Sequence, residues 1–264
     1  MRFVRLGCLA LLAVCSFAAQ AKMVHRTVEW TLDGTHFKSV LVYDDATSAK
    51  RPGLVMVPNW YGVNDAAVQK ADMIAGKDYV ILLTDMYGEN VRPQLENADQ
   101  AKAATAPLYT DRALMRKRID EALAQLKAQA GTAPIDLTKL AAIGFCFGGT
   151  AVLDLARSGA DVAAVVSFHG GLTTDNPSLA KNIKARVLAM NGADDKGTMP
   201  DADKFLDEMR DSPSEWQFVV IGHAVHCFTE VGENSPGCKY DAVAAARSYR
   251  LMHDWLRAAF AGQP

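Results

Sequence analysis

The sequence predicts an α/β fold: a mostly parallel, twisted sheet with helices on both faces. Short apolar runs at residues 54–57, 79–83 and 162–168 alternate with longer segments of helical periodicity, and strand alternating with helix is the pattern that builds a parallel sheet between two helical layers. The 264 residues are 50% hydrophobic and 22% charged, enough to bury a sizeable core. No repeat, linker or low-complexity segment divides the chain, so one domain over residues 22–264 is expected.

Each element has its own signal. Residues 24–32 and 37–43 alternate as two antiparallel strands, joined through Asp33-Gly34. Residues 54–57 are apolar throughout and open into the loop Pro58-Asn59-Trp60-Tyr61-Gly62-Val63-Asn64. Asp65 is placed to cap a helix that runs to about Ala75 and ends at Gly76. After the strand at 79–83, residues 85–107 are polar and irregular and are assigned mostly to loop. The helix over 112–130 carries Met115, Ile119, Ala122, Leu123 and Leu126 on one stripe. An apolar run at 140–143 leads into Gly144-Phe145-Cys146-Phe147-Gly148-Gly149 and then an amphipathic segment over 150–157. Strands at 162–168, 185–190 and 215–221, a helix at 201–210 and a closing helix at 242–260 complete the prediction.

Targeting and charge narrow the function classes. Arg2 and Arg5, the apolar residues 6–18 and Ala19-Gln20-Ala21 read as a signal peptide over residues 1–21, cleaved after Ala21. The expected location is therefore exported, periplasmic. The formal charge of −2, more negative after cleavage, gives no reason to expect nucleic acid. No later apolar run is long enough to span a membrane. Cys8 and Cys15 leave with the signal, and Cys146, Cys227 and Cys238 remain. In an oxidising compartment two of the three should pair. Cys227 and Cys238 flank the Gly/Asn/Ser/Pro-rich stretch 230–237 and are the candidate pair, two free buried thiols being the alternative.

The strand, sharp turn and helix around Cys146 have the layout of a nucleophile elbow, with cysteine at the position of the nucleophile. A glycine-rich turn around an inert buried cysteine is the other reading. A reacting thiol needs a base, and the base needs an orienting acid. Two later strand ends offer them: Asn191-Gly192-Ala193-Asp194-Asp195, and Gly222-His223-Ala224-Val225-His226. Both fall at the carboxyl edge of the sheet, in the order nucleophile, acid, histidine. A metal cluster of His223, His226 and Cys227 is set aside, because no second group at ligand spacing accompanies it. No metal or cofactor is expected.

These marks together resemble the dienelactone hydrolase family of α/β-hydrolases over nearly the whole chain after residue 21. The resemblance rests on Trp60-Tyr61-Gly62-Val63-Asn64, Asp85-Met86-Tyr87, the cysteine elbow, Phe168-His169-Gly170-Gly171, Gly192-Ala193-Asp194-Asp195 and His226-Cys227-Phe228. It implies an α/β-hydrolase fold and a triad of Cys146, Asp195 and His226, with the oxyanion on the backbone N–H groups of Trp60 and Phe147. Asn59, Tyr61, Tyr87 and His169 are assigned to the substrate pocket, a structural hydrogen bond being the other reading of His169. The expected activity is cleavage of a small ester, lactone or thioester through an acyl-cysteine; a non-catalytic binding protein on the same fold is the alternative. The family's dienelactone-cleaving members carry a glutamate where Asn59 stands, and two arginines at positions that read here as Glu89 and Glu230. Dienelactone itself is therefore not the expected substrate. The sequence does not give the oligomeric state.

Overall fold

A computed structural model describes residues 22–263, so the expected signal peptide at residues 1–21 lies outside the described residues. The first two strands, β1 (Met23–Leu32) and β2 (Thr35–Asp44), pair antiparallel, with Asp33 and Gly34 both at positive φ in the turn. Six more strands run parallel to one another: β3 (Arg51–Val57), β4 (Val80–Leu83), β5 (Ile135–Phe145), β6 (Ala164–Phe168), β7 (Arg186–Gly192) and β8 (Trp216–Ile221). Among the described residues they form one sheet in the order β1-β2-β4-β3-β5-β6-β7-β8, with β2 antiparallel to β4.

The unbroken apolar runs reflect burial on both faces. In β3, Leu54 and Met56 join one core cluster while Val55 and Val57 join the other, and Leu188 and Met190 of β7 alternate with Val187 and Ala189 in the same way. Burying each such valine, leucine or methionine side chain contributes roughly 1.5–3 kcal/mol. Helices α1 (Asp65–Ala75) and α6 (Ala242–Ala261) cover one face through Ala71, Ile74, Met252 and Leu256. The other face is covered by α2 (Ala98–Thr110), α3 (Arg112–Ala128), α4 (Phe147–Arg157) and α5 (Ala202–Met209). Among the described residues no helix is long and apolar enough to cross a membrane.

Two expectations are corrected. Asn64, not Asp65, caps α1: its Oδ1 accepts from the Ala67 N–H at 2.9 Å, which makes Asp65 the first helical residue. Residues 85–107 are only in part loop, because a 3-10 turn occupies Glu89–Val91 and α2 begins at Ala98. Only Ala101, Thr105 and Leu108 of α2 are buried, a stripe too narrow and too weakly apolar to stand out, and Pro107 inside the helix reads as a breaker. A short hairpin of β9 (Asn234–Ser235) and β10 (Cys238–Lys239) follows β8, and Cys227 and Cys238 are joined by a disulfide.

Candidate active site

The loops that follow β3, β5, β6, β7 and β8 all leave the same, carboxyl edge of the sheet, and the chemistry collects there. Cys146 sits between β5 and α4 with φ 54° and ψ −117°, outside the region a non-glycine residue prefers. Such a residue costs about 1–3 kcal/mol and persists only where its surroundings dictate it. Here the neighbours do so by close approach. A Cβ on Gly144 would lie 2.1 Å from the Gly148 carbonyl oxygen, and one on Gly148 would lie 2.1 Å from the Val57 oxygen. Both obstacles are backbone, so only glycine lets β3, β5 and α4 meet at this turn. The Cys146 N–H donates to Phe168 O at 3.0 Å and to His169 Nδ1 at 3.2 Å. Phe147 is the first residue of α4, where an N–H has no acceptor within the helix.

His226 reaches Cys146 from the loop after β8. Its Nε2 is 3.1 Å from Cys146 Sγ and its Nδ1 is 2.7 Å from Asp195 Oδ2. Asp195 is buried and saturated by donors: the N–H groups of Gly197 (2.9 Å) and Thr198 (3.2 Å) reach Oδ1, and the Thr198 hydroxyl (2.7 Å) reaches Oδ2. Asn191 Nδ2 donates in turn to Thr198 Oγ1 at 2.8 Å. Burial disfavours a charged imidazole, yet the hydrogen bonds with Asp195 and Cys146 outweigh it and push His226 up to about 10. Burial alone would raise Asp195, but the His226 hydrogen bond holds its carboxyl below the usual range.

The sign of the resulting pH dependence follows from linkage. His226 titrates at 6.5 when unperturbed and near 10 in the fold, so its contribution to stability is complete below about pH 6.5 and is lost as pH rises through about 10. The thermal unfolding midpoint should therefore fall between those values. NMR titration of Cys146→Ala should place the His226 midpoint lower than in the wild type, because one of the two partners is gone. An unchanged midpoint would assign the effect to Asp195 alone.

The cavity that contains Cys146 and His226 measures about 690 Å³ and is lined by Tyr109, Leu172, Thr173, Asp195 and Thr198 among others. None of the four residues assigned to the pocket from sequence lines it. Asn59 and Tyr61 line a neighbouring cavity of about 310 Å³ with Lys70, Glu230 and Glu233. Asn59 acts as a staple: Oδ1 accepts from the Tyr61 N–H (3.0 Å) and Nδ2 donates to Glu230 Oε2 (2.7 Å). Tyr87 is buried, and its hydroxyl donates to the Trp60 carbonyl at 3.0 Å, so it fixes the first loop rather than facing substrate. His169 is fully buried beneath the elbow.

Of the two glutamates, Glu89 does not face the site; it bonds His36 and Lys38 on β2. Glu230 lies beside Asn59, but Lys70 neutralises it in an ion pair. Sequence reasoning missed Tyr109, which lay between the segment assigned to loop and the helix expected from 112, and Thr198, a small polar residue just past the acid. A hydroxyl three residues after an aspartate is a usable signal, since it can turn back onto that carboxylate.

Six parallel strands with a strained cysteine elbow, an aspartate and a histidine in carboxyl-edge loops define an α/β-hydrolase fold. The model of the dienelactone hydrolase family matches residues 37–260. The chain belongs to that family and is a carboxylic ester or lactone hydrolase. It is 36% identical to the solved structure of m3DLH, at a TM-score of 0.83, with 90% of this chain and 99% of that one covered. It is equally identical, 36%, to a dienelactone hydrolase-like promiscuous phosphotriesterase from metagenomic libraries, at a TM-score of 0.82 over 90% of this chain and 98% of that one. A probable 2-oxo-3-(5-oxofuran-2-ylidene)propanoate lactonase of Bradyrhizobium sp. is 27% identical over 244 residues, 87% of this chain and 94% of the relative.

Proposed function

We propose that this hydrolase cleaves small, uncharged esters or lactones through a covalent acyl-enzyme on Cys146. The observation that carries the reading is the unbroken line from Cys146 Sγ through His226 to Asp195, at 3.1 Å and 2.7 Å. Sγ attacks the carbonyl carbon with its proton already held on His226 Nε2, and Asp195 holds the imidazolium with Nδ1–H toward the acid. The tetrahedral oxyanion rests on the N–H groups of Phe147 and Trp60. The imidazolium then protonates the departing alkoxide, leaving a thioester. Water attacks that thioester with His226 as base, releases the acid and restores the thiol.

Substrate preference follows from charge. Lys70, the cation of the cavity beside Asn59, is engaged by Glu230, and Glu233 adds a further negative group. A substrate carboxylate reaching into that neighbouring cavity therefore meets no free cation, and the cavity of Cys146 sets Asp194, Asp195 and Asp201 against Lys196 and His226, so a neutral acyl or alkoxy group loses nothing. The disulfide fits an exported protein in an oxidising compartment, as does the N-terminal sequence. Intact mass after mixing with a slowly deacylated aryl ester tests the mechanism. The protein should gain the mass of one acyl group, mapped by peptide digestion to Cys146. A gain mapped to any other residue, or steady turnover with no trapped species across a panel of esters, lactones and a phosphotriester, would overturn it. The phosphotriester belongs in the panel because of the relative that cleaves such compounds.

A further inference from the structure

Beneath the elbow runs a second line of buried polar groups that the mechanism above does not use. Lys70 of α1 is ion-paired with Glu230. Glu230 Oε1 also accepts from the Thr229 hydroxyl at 3.2 Å, and Thr229 Oγ1 lies 2.7 Å from His169 Nε2. His169 Nδ1 in turn faces the Cys146 N–H at 3.2 Å. Thr229 and His169 are 1% and 0% exposed, and Glu230 is 7% exposed, so water does not compete for these bonds.

The direction of every bond in this line is fixed from its ends. A backbone N–H can only donate, so Nδ1 of His169 must accept and the ring proton must sit on Nε2. Nε2–H then donates to Thr229 Oγ1, which leaves the hydroxyl proton for Glu230. A carboxylate only accepts, and the Lys70 ammonium only donates. Reversing the chain would set an N–H of His169 against the N–H of Cys146.

We propose that Glu230, Thr229 and His169 are positioning residues for the nucleophile: the Lys70–Glu230 pair sets the direction of a hydrogen-bond chain that keeps the His169 proton on Nε2, so that Nδ1 accepts from the Cys146 N–H and steadies the strained elbow. The same arrangement protects the base. The His169 ring stands edge-on to the His226 ring, with centroids 5.1 Å apart. Burial, with His226 and Lys70 nearby, holds His169 well below the usual imidazole range, so it stays uncharged beside the imidazolium of His226. The charged or titratable groups that face this chain are His226, Lys70 of α1, Glu230 itself and Tyr249 of α6.

The kinetic part rests on the Cys146 reading; the tautomer does not, so two measurements separate them. Nitrogen NMR of the histidine-labelled wild-type protein should show His169 protonated at Nε2 and bare at Nδ1. The opposite tautomer overturns the proposal whether or not the protein turns over an ester. Thr229→Val, which keeps the shape but breaks the chain, should lower kcat on an activated aryl ester about tenfold. KM should stay within about twofold, and the pH–rate profile should shift because the surroundings of His226 change. Thr229→Ser should restore kcat to within about threefold of wild type. A Thr229→Val protein with wild-type kcat and pH profile, or a Thr229→Ser protein as impaired as Thr229→Val, would show that Thr229 only fills space.

Discussion

Cys146→Ala is expected to lower kcat/KM on an activated aryl ester by about 10⁴-fold or more, a loss of roughly 5.5 kcal/mol of transition-state stabilisation. What remains is the contribution of the proposed oxyanion donors, the N–H groups of Phe147 and Trp60, and of binding, which do not need the thiol. The fold should be indifferent to the change. Cys146 is only half-buried, and alanine meets the same backbone restriction at φ 54° that cysteine already meets. His226→Ala should cost a comparable amount, and the double variant little more than either single one, because the two residues act as a unit. Steady-state kinetics and thermal unfolding on the three proteins check this. Residual activity above about 1% in Cys146→Ala would assign the chemistry to another group.

The parts that sequence made legible were those governed by local rules. The apolar runs became strands because burial on two faces leaves no room for alternation, and Gly144 and Gly148 marked the elbow because no side chain fits there. The order of Cys146, Asp195 and His226 was readable because each stands directly after a strand or one turn later. What sequence did not give was the direction in which loop side chains turn. Tyr87 and His169 stand in loops that rim the site, yet one points back to the Trp60 carbonyl and the other beneath Cys146. Those directions depend on partners 27 and 23 residues away, which no local pattern encodes. Glu89 was misplaced for a related reason: the turn at Asp85, which accepts from the N–H groups of Lys38, Tyr87 and Gly88, sends it toward β2. The α2 helix was hidden by composition, since only Ala101, Thr105 and Leu108 are buried to seat it.

Arg157→Met is the largest stability change expected outside the elbow. Arg157 ends α4, is 1% exposed, and makes a two-pronged bond to Glu208 of α5 at 2.7 Å and 2.8 Å. Its Nη1 donates to Asp154 Oδ1 at 3.1 Å, and Nη2 also donates to the Leu172 carbonyl at 3.0 Å. Asp154 keeps a second partner, because Arg112 of α3 also binds it in two-pronged fashion at 2.8 Å and 2.8 Å. Glu208 has no such reserve among its described hydrogen bonds. Removing the guanidinium therefore strands a buried carboxylate, and about 3–5 kcal/mol should be lost. Methionine replaces much of the volume, so a cavity adds little to that figure. The double variant Arg157→Met/Glu208→Met separates attraction from desolvation. With both charges gone no ion is left stranded, and the loss should shrink to about 1 kcal/mol or reverse, because the Coulombic gain of a buried pair roughly offsets the cost of taking both ions from water. Urea unfolding at neutral pH decides between them. A double variant as unstable as Arg157→Met would mean that the attraction itself, together with the bond to Leu172, holds α4 against α5 and keeps the cavity wall beside Cys146 in place.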